Sequence, residues 1–160
     1  MTDSHMRRTG PVDLLVPFVI IGVSAYVLLR TSYSSLPPLG YFVPVPLAAL
    51  ALVELVVARR VRAAVRHDPY AKPMTAIAIA RCVALGKASS LVGAAVAGAA
   101  AALLVRVIPE FDSVRAAAND ARVATLLLAA SILVVIAGVV LERAGLDPNR
   151  DRRDPRDRRD

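Results

Sequence analysis

Four apolar runs divide this chain, each close to the ~20 residues needed to cross a hydrocarbon core about 30 Å thick. Only short charged or proline-containing stretches stand between them. This arrangement constrains the fold more than any motif does. Hydrophobic residues make up 56% of the 160 residues, above the ~45–50% of a soluble domain, and the excess must face something other than water. Because a segment in hydrocarbon has to satisfy its own backbone polar groups, the runs predict helices. The expected fold is all-α: a transmembrane four-helix bundle.

The predicted organisation is an N-terminal tail over 1–11, a membrane domain over 12–143 with spans at about 12–30, 43–60, 76–108 and 121–142, and a mixed-charge tail over 144–160. The first run, "VDLLVPFVIIGVSAYVLL", follows Arg7 and Arg8 as a signal peptide would. It is longer than a typical signal h-region, and "RTSYSSLPP" after it has no small-x-small cleavage pattern, so it reads as a retained anchor. The second run opens with Pro44 and Pro46, tolerable in a first helical turn, and carries Glu54 near its far end. The third is stopped by Pro109 and is too long to be fully immersed; its uncharged part is "ASSLVGAAVAGAAAALLV". The fourth ends in Glu142 and Arg143.

Orientation follows from the basic residues of the short connections. Arg7 and Arg8, the middle segment with Arg59, Arg60, Arg62, Arg66 and Lys72, and the arginine-rich C-terminal tail fall on one side if there are four spans. The other side has no charge between Thr31 and Phe42, and its second loop balances Arg106, Arg115 and Arg122 with Glu110, Asp112 and Asp120. Both termini are therefore expected in the cytoplasm, with the plasma membrane as location. Tyr26, Tyr33, Tyr41 and Phe42 would form an interfacial aromatic belt. Arg59, Arg62 and Arg66 share a helix face and would touch anionic headgroups of the bilayer.

The stretch "LGKASSLVGAAVAG" imitates part of a phosphate-binding loop, but Arg81 stands where the first glycine should be and Ala88 where Ser or Thr must follow the lysine. Its small residues have a different use. Gly86, Ser90, Gly93, Ala97 and Gly98 provide a helix-packing face on which backbones can approach closely, within one chain or against a second copy. Glu54 and Lys87 are expected at similar depth near the cytoplasmic interface. Since an unpaired intramembrane charge costs at least ~2.5 kcal/mol, the two should pair, with Arg81, Ser89 and Ser90 completing an intramembrane polar cluster.

No catalytic set is legible. Cys82 lacks a histidine to activate it, His5 and His67 are isolated, and no cofactor or metal site is indicated. The tail from Asp147 onward has no apolar residue, repeats "DRRD", and should be disordered. Its interleaved aspartates and lack of aromatics argue against nucleic acid as a partner.

The order of features resembles a known family. "SYSSLPPL" after an arginine, a glutamate inside the second span, "TAIAIARCVALGKASSLVGAAVAG" and "LERAG" are together similar to an actinobacterial membrane-protein family catalogued as domain of unknown function 3180, over roughly Asp13 to Ala144. The resemblance implies four transmembrane helices in a plasma membrane, and it brings no reaction. The expected function is that of a non-catalytic scaffold, assembly or accessory subunit, with a membrane-protein partner or a homo-oligomer. The alternative is a small transporter or ligand-binding protein using Glu54, Lys87 and Arg81.

Overall fold

A computed structural model of the chain describes residues 10–32, 40–66, 74–110 and 115–145. They form four α-helices: α1 (Pro11–Ser32), α2 (Val45–Val65), α3 (Ala76–Val107) and α4 (Arg115–Ala144). Local chemistry sets the ends. The Asp13 carboxylate accepts the Gly10 amide at 2.9 Å, and the Thr75 hydroxyl accepts the Ala78 amide at 3.3 Å, each supplying an orphan donor at a helix start with an acceptor. Pro44 and Pro46 open α2 where a missing N–H costs nothing. At the far end of α3, Pro109 cannot continue the ladder, and the chain tightens into a 3-10 turn over Ile108–Glu110.

Packing contacts fix the directions. Gly86 meets Gly138 and Gly93 meets Ser131, so α3 and α4 are antiparallel. Ala51 clusters with Val134 and Ala137, while Ala58 and Val61 cluster with Leu141 and Ala144, so α2 runs parallel to α4. Gly22 touches Gly98, and Leu29 packs beside Leu103 and Val107, so α1 runs parallel to α3. The start of α1, the end of α2, the start of α3 and the end of α4 therefore lie at one end of the molecule.

The all-α architecture and the four helices are as expected, and the helices make an open row, α1–α3–α4–α2. Among the described residues α1 packs on α3 alone, and α2 packs on α4 with only slight contact to α3. Half of α3's membrane-length window is buried and none of α1's. Three helices are long and apolar enough to cross a membrane: α1 over Pro11–Thr31, α3 over Ala76–Val107 and α4 over Ala117–Ala144. The second run, expected as a span, is not among them. From Val45 to Arg59 it rises only about 21 Å, whereas Asp13 to Arg30, Lys87 to Arg106 and Arg122 to Glu142 each rise about 26–30 Å.

Close backbone approach holds the row together. A methyl group at Gly138 would lie 2.6 Å from the Gly86 carbonyl oxygen and 2.9 Å from the Ser90 amide nitrogen. One at Gly86 would lie 2.6 Å from the Gly138 carbonyl oxygen. At the α1–α3 crossing, a methyl on Gly98 would run into the Phe18 carbonyl oxygen. These obstacles are backbone atoms and cannot swing aside. Gly86→Ala and Gly138→Ala should each lower stability by roughly 1–3 kcal/mol, the usual penalty of overpacking. Gly40→Ala, with nothing within 4 Å, should stay within about 0.5 kcal/mol of wild type; thermal unfolding in detergent micelles, followed by circular dichroism, measures both.

Candidate intramembrane carboxyl site

The α3–α4 seam is built from small residues at a seven-residue repeat on both helices. On α3 these are Gly86, Gly93 and Ala100, with Val107 at the next step, and on α4 Ala124, Ser131 and Gly138, with Gly145 at the next step just past the helix end. All but Gly145 are buried, and Gly145 packs against Val83 and Ile79. A strict seven-residue repeat is the sequence signature of a left-handed supercoil. It is the signal by which Gly138 and Ser131, which were missed as site-forming positions, could have been found.

The five residues expected to share one packing face are all buried, but they serve two neighbours. Gly86, Ser90, Gly93 and Ala97 follow the seam with α4, whereas Gly98 turns to α1 and meets Phe18 and Gly22. The two faces differ by about 100° around the helix axis, the angle of one residue.

Glu54 comes from α2, on the stripe that also carries Ala51, Ala58 and Val61. By that register it lies level with Gly138. It is 1% exposed, and the polar side chain it meets is Ser89 of α3. The Ser89 hydroxyl, however, gives its single proton to the Gly86 carbonyl oxygen at 3.1 Å. Among the described residues, both Glu54 carboxyl oxygens are left without a hydrogen-bond partner. The other buried hydroxyls of the seam behave like Ser89: Ser90 donates to the Lys87 carbonyl at 2.9 Å and Ser131 to the Leu127 carbonyl at 2.7 Å. A hydroxyl can satisfy itself on its own helix in this way; a carboxylate, having no proton to give, cannot.

The expected Glu54–Lys87 pair is not formed. Lys87 and Arg81 are exposed, while Glu54, Ser89 and Ser90 are buried, so the expected cluster separates into a buried half and an exposed half. Lys87 adjoins Gly86, which lies beside Glu142 of α4, but it stands on another side of α3 from Ser89. Lys87 belongs to the stripe Lys87, Leu91, Ala94, Gly98 that faces α1, whereas α2 sits beyond α4 on the opposite flank.

Arg59, Arg60, Arg62 and Arg66 are exposed around the last turns of α2. Tyr26, Tyr41 and Phe42 are exposed as well. Cys82 is half-buried and packs beside the Ala58, Val61 and Leu141 cluster. Among the described residues no three His, Cys, Asp or Glu side chains group together as a metal site would require. Tyr33, His5, His67, Lys72, both tails and the "DRRD" repeats lie outside the described residues.

The comparisons with known proteins agree on a family and go no further. The family described as "Protein of unknown function (DUF3180)" matches residues 14–149. Neither a curated protein nor a solved structure matches the chain. With most of its length matched, the chain belongs to that family.

The isolation of Glu54 generates a test. A double-mutant cycle on Glu54→Gln and Lys87→Gln should give a coupling below about 0.5 kcal/mol, the value for residues without a shared contact. Glu54→Gln alone should leave the melting temperature unchanged or raise it, because it removes a carboxylate buried without a partner. A coupling of 1 kcal/mol or more, by the same measure, would restore the pair.

Proposed function

We propose that this family member is a plasma-membrane protein crossing the bilayer four times with both termini in the cytoplasm, and that it works as a non-catalytic accessory or assembly subunit. The observation that carries this reading is the open row. Among the described residues α1 is held by α3 alone and has none of its membrane-length window buried, so most of its surface is offered to lipid or to a partner helix.

Four crossings follow from direction. Since α1 and α3 are parallel, the chain from Ser32 to Ala76 has to return from the far end to the starting end, and α2 is the helix that makes the return. The end gathering Arg59, Arg60, Arg62, Arg66, Arg81 and Arg143 is the cytoplasmic one by the positive-inside rule.

A second reading is a small transporter or ligand-binding protein. Glu54 favours it, because a buried carboxylate without a partner inside a membrane segment is a functional signal by default. The separation of Glu54 from Arg81 and Lys87 weighs against a pocket made by all three.

Two measurements test these readings. In a Cys82→Ala background, a membrane-impermeant maleimide should label Tyr41→Cys in intact cells and Arg66→Cys only after permeabilisation; the reverse pattern would invert the orientation. Affinity purification from the native membrane in mild detergent, read by mass spectrometry, should recover a partner in stoichiometric amount. Recovery as a lone homo-oligomer would favour the transporter.

A further inference from the structure

Beyond their crossing at Gly22 and Gly98, α1 and α3 leave an open apolar groove of about 360 Å³. From α3 it is lined by Gly98, Ala101 and Ala102, which contribute little more than backbone and methyl groups, and at its far end by Val105. Phe18, Val23 and Tyr26 wall it on the α1 side.

The position of the groove in the bilayer follows from the sequence. Gly22 and Gly98 sit near the middle of the uncharged stretches Leu14–Leu29 and Ala88–Val105, so their crossing marks the midplane. The groove runs from there toward the end where α1 finishes. One turn past Tyr26 stands Arg30, exposed and on the same stripe as Val19, Val23 and Tyr26, at successive spacings of four, three and four. Asp13, at the other end, is the only acid on α1. From Gly22 to Arg30 the rise is about 12 Å, within the ~15 Å of one leaflet of a ~30 Å core.

We infer that this groove seats one anionic glycerophospholipid of that leaflet, with an acyl chain along Gly98, Ala101 and Ala102 and its phosphate on the Arg30 guanidinium. A partner helix fits less well. A helix would answer the Arg30 charge only if it carried an acid at that level, whereas an anionic lipid brings its phosphate there. An acyl chain is a thread that small residues accommodate, and a guanidinium binds phosphate with two parallel N–H donors. The inference rests on the insertion of α1 and α3 in the membrane and is independent of the accessory-subunit reading.

The test uses the full chain, recovered from the membrane fraction, washed free of lipid in detergent, and offered micelles carrying phosphatidylglycerol or phosphatidylcholine with identical acyl chains. Native mass spectrometry should find a one-to-one adduct, with phosphatidylglycerol preferred about fivefold, as one basic side chain near a headgroup provides. Arg30→Gln should abolish the preference while keeping a weaker adduct. Ala101→Phe, which fills the groove, should remove the adduct with either lipid, and Val105→Phe serves the same purpose if that variant fails to fold. Equal adducts in wild type and a folded groove-filling variant would overturn the proposal. So would equal retention of the two lipids by wild type, or a wild-type dimer that Ala101→Phe dissolves. A chain recovered only in the soluble fraction would remove the membrane reading itself, whereas a membrane-bound chain without an adduct removes the lipid seat alone.

Discussion

Backbone contact between Gly86 and Gly138 is the constraint on which the rest of the structure depends. In water, apolar side chains drive helices together; in lipid that force is absent, and association has to come from dispersion contacts and close approach. A glycine on each side of the seam brings two backbones within reach of one another. The seven-residue repeat of small residues then keeps them there for most of the length of α3 and α4. Both outer helices attach to this central pair, α1 through Gly22 on Gly98 and α2 through Ala51, Ala58 and Val61 on α4.

The seam also decides what its polar groups can do. Ser89, Ser90 and Ser131 close onto carbonyls of their own helices, so each buries a hydroxyl without needing a neighbour. Glu54 arrives from a third helix at the tightest part of the crossing, and among the described residues its carboxyl oxygens meet no donor. Its isolation is a product of the packing that surrounds it. Were Gly86 and Gly138 larger, α3 and α4 would stand apart and the carboxyl would have room for water.

Much of the fold is legible in the sequence, because apolar runs, prolines and capping residues act locally. Thr75 and Pro109 bound α3 for reasons a single helix contains. Spacing along a helix also fixes depth, which is why Glu54 and Lys87 were placed at the same level. Which helix lies beside which is a property of the pairings, and nothing local reports it. The expected pairing of Glu54 with Lys87 requires α2 beside α3; the row puts α4 between them and Lys87 on the α1 side. Gly98 was grouped with Gly86 for a related reason, since spacings of three and four describe one broad face that two neighbours can divide. The apolar length of α2 is likewise readable, but the need for it to return the chain emerges only once α1 and α3 are known to be parallel.

The shortness of α2 makes the protein's two flanks unequal hosts for a bilayer. In the proposed topology the uncharged rise is about 26 Å along α1 and about 21 Å along α2, so the α2 flank has an apolar belt about 5 Å shorter. A bilayer meets such a deficit by thinning locally or by tilting what it surrounds, at a fraction of a kcal/mol for each Å. In the proposed topology the headgroups beside Tyr41 and Phe42 are drawn inward, and the molecule carries a built-in thickness gradient from one side to the other. Neighbours with short apolar belts are thereby favoured on one flank and long-belted ones on the other, a sorting rule that requires no specific contact.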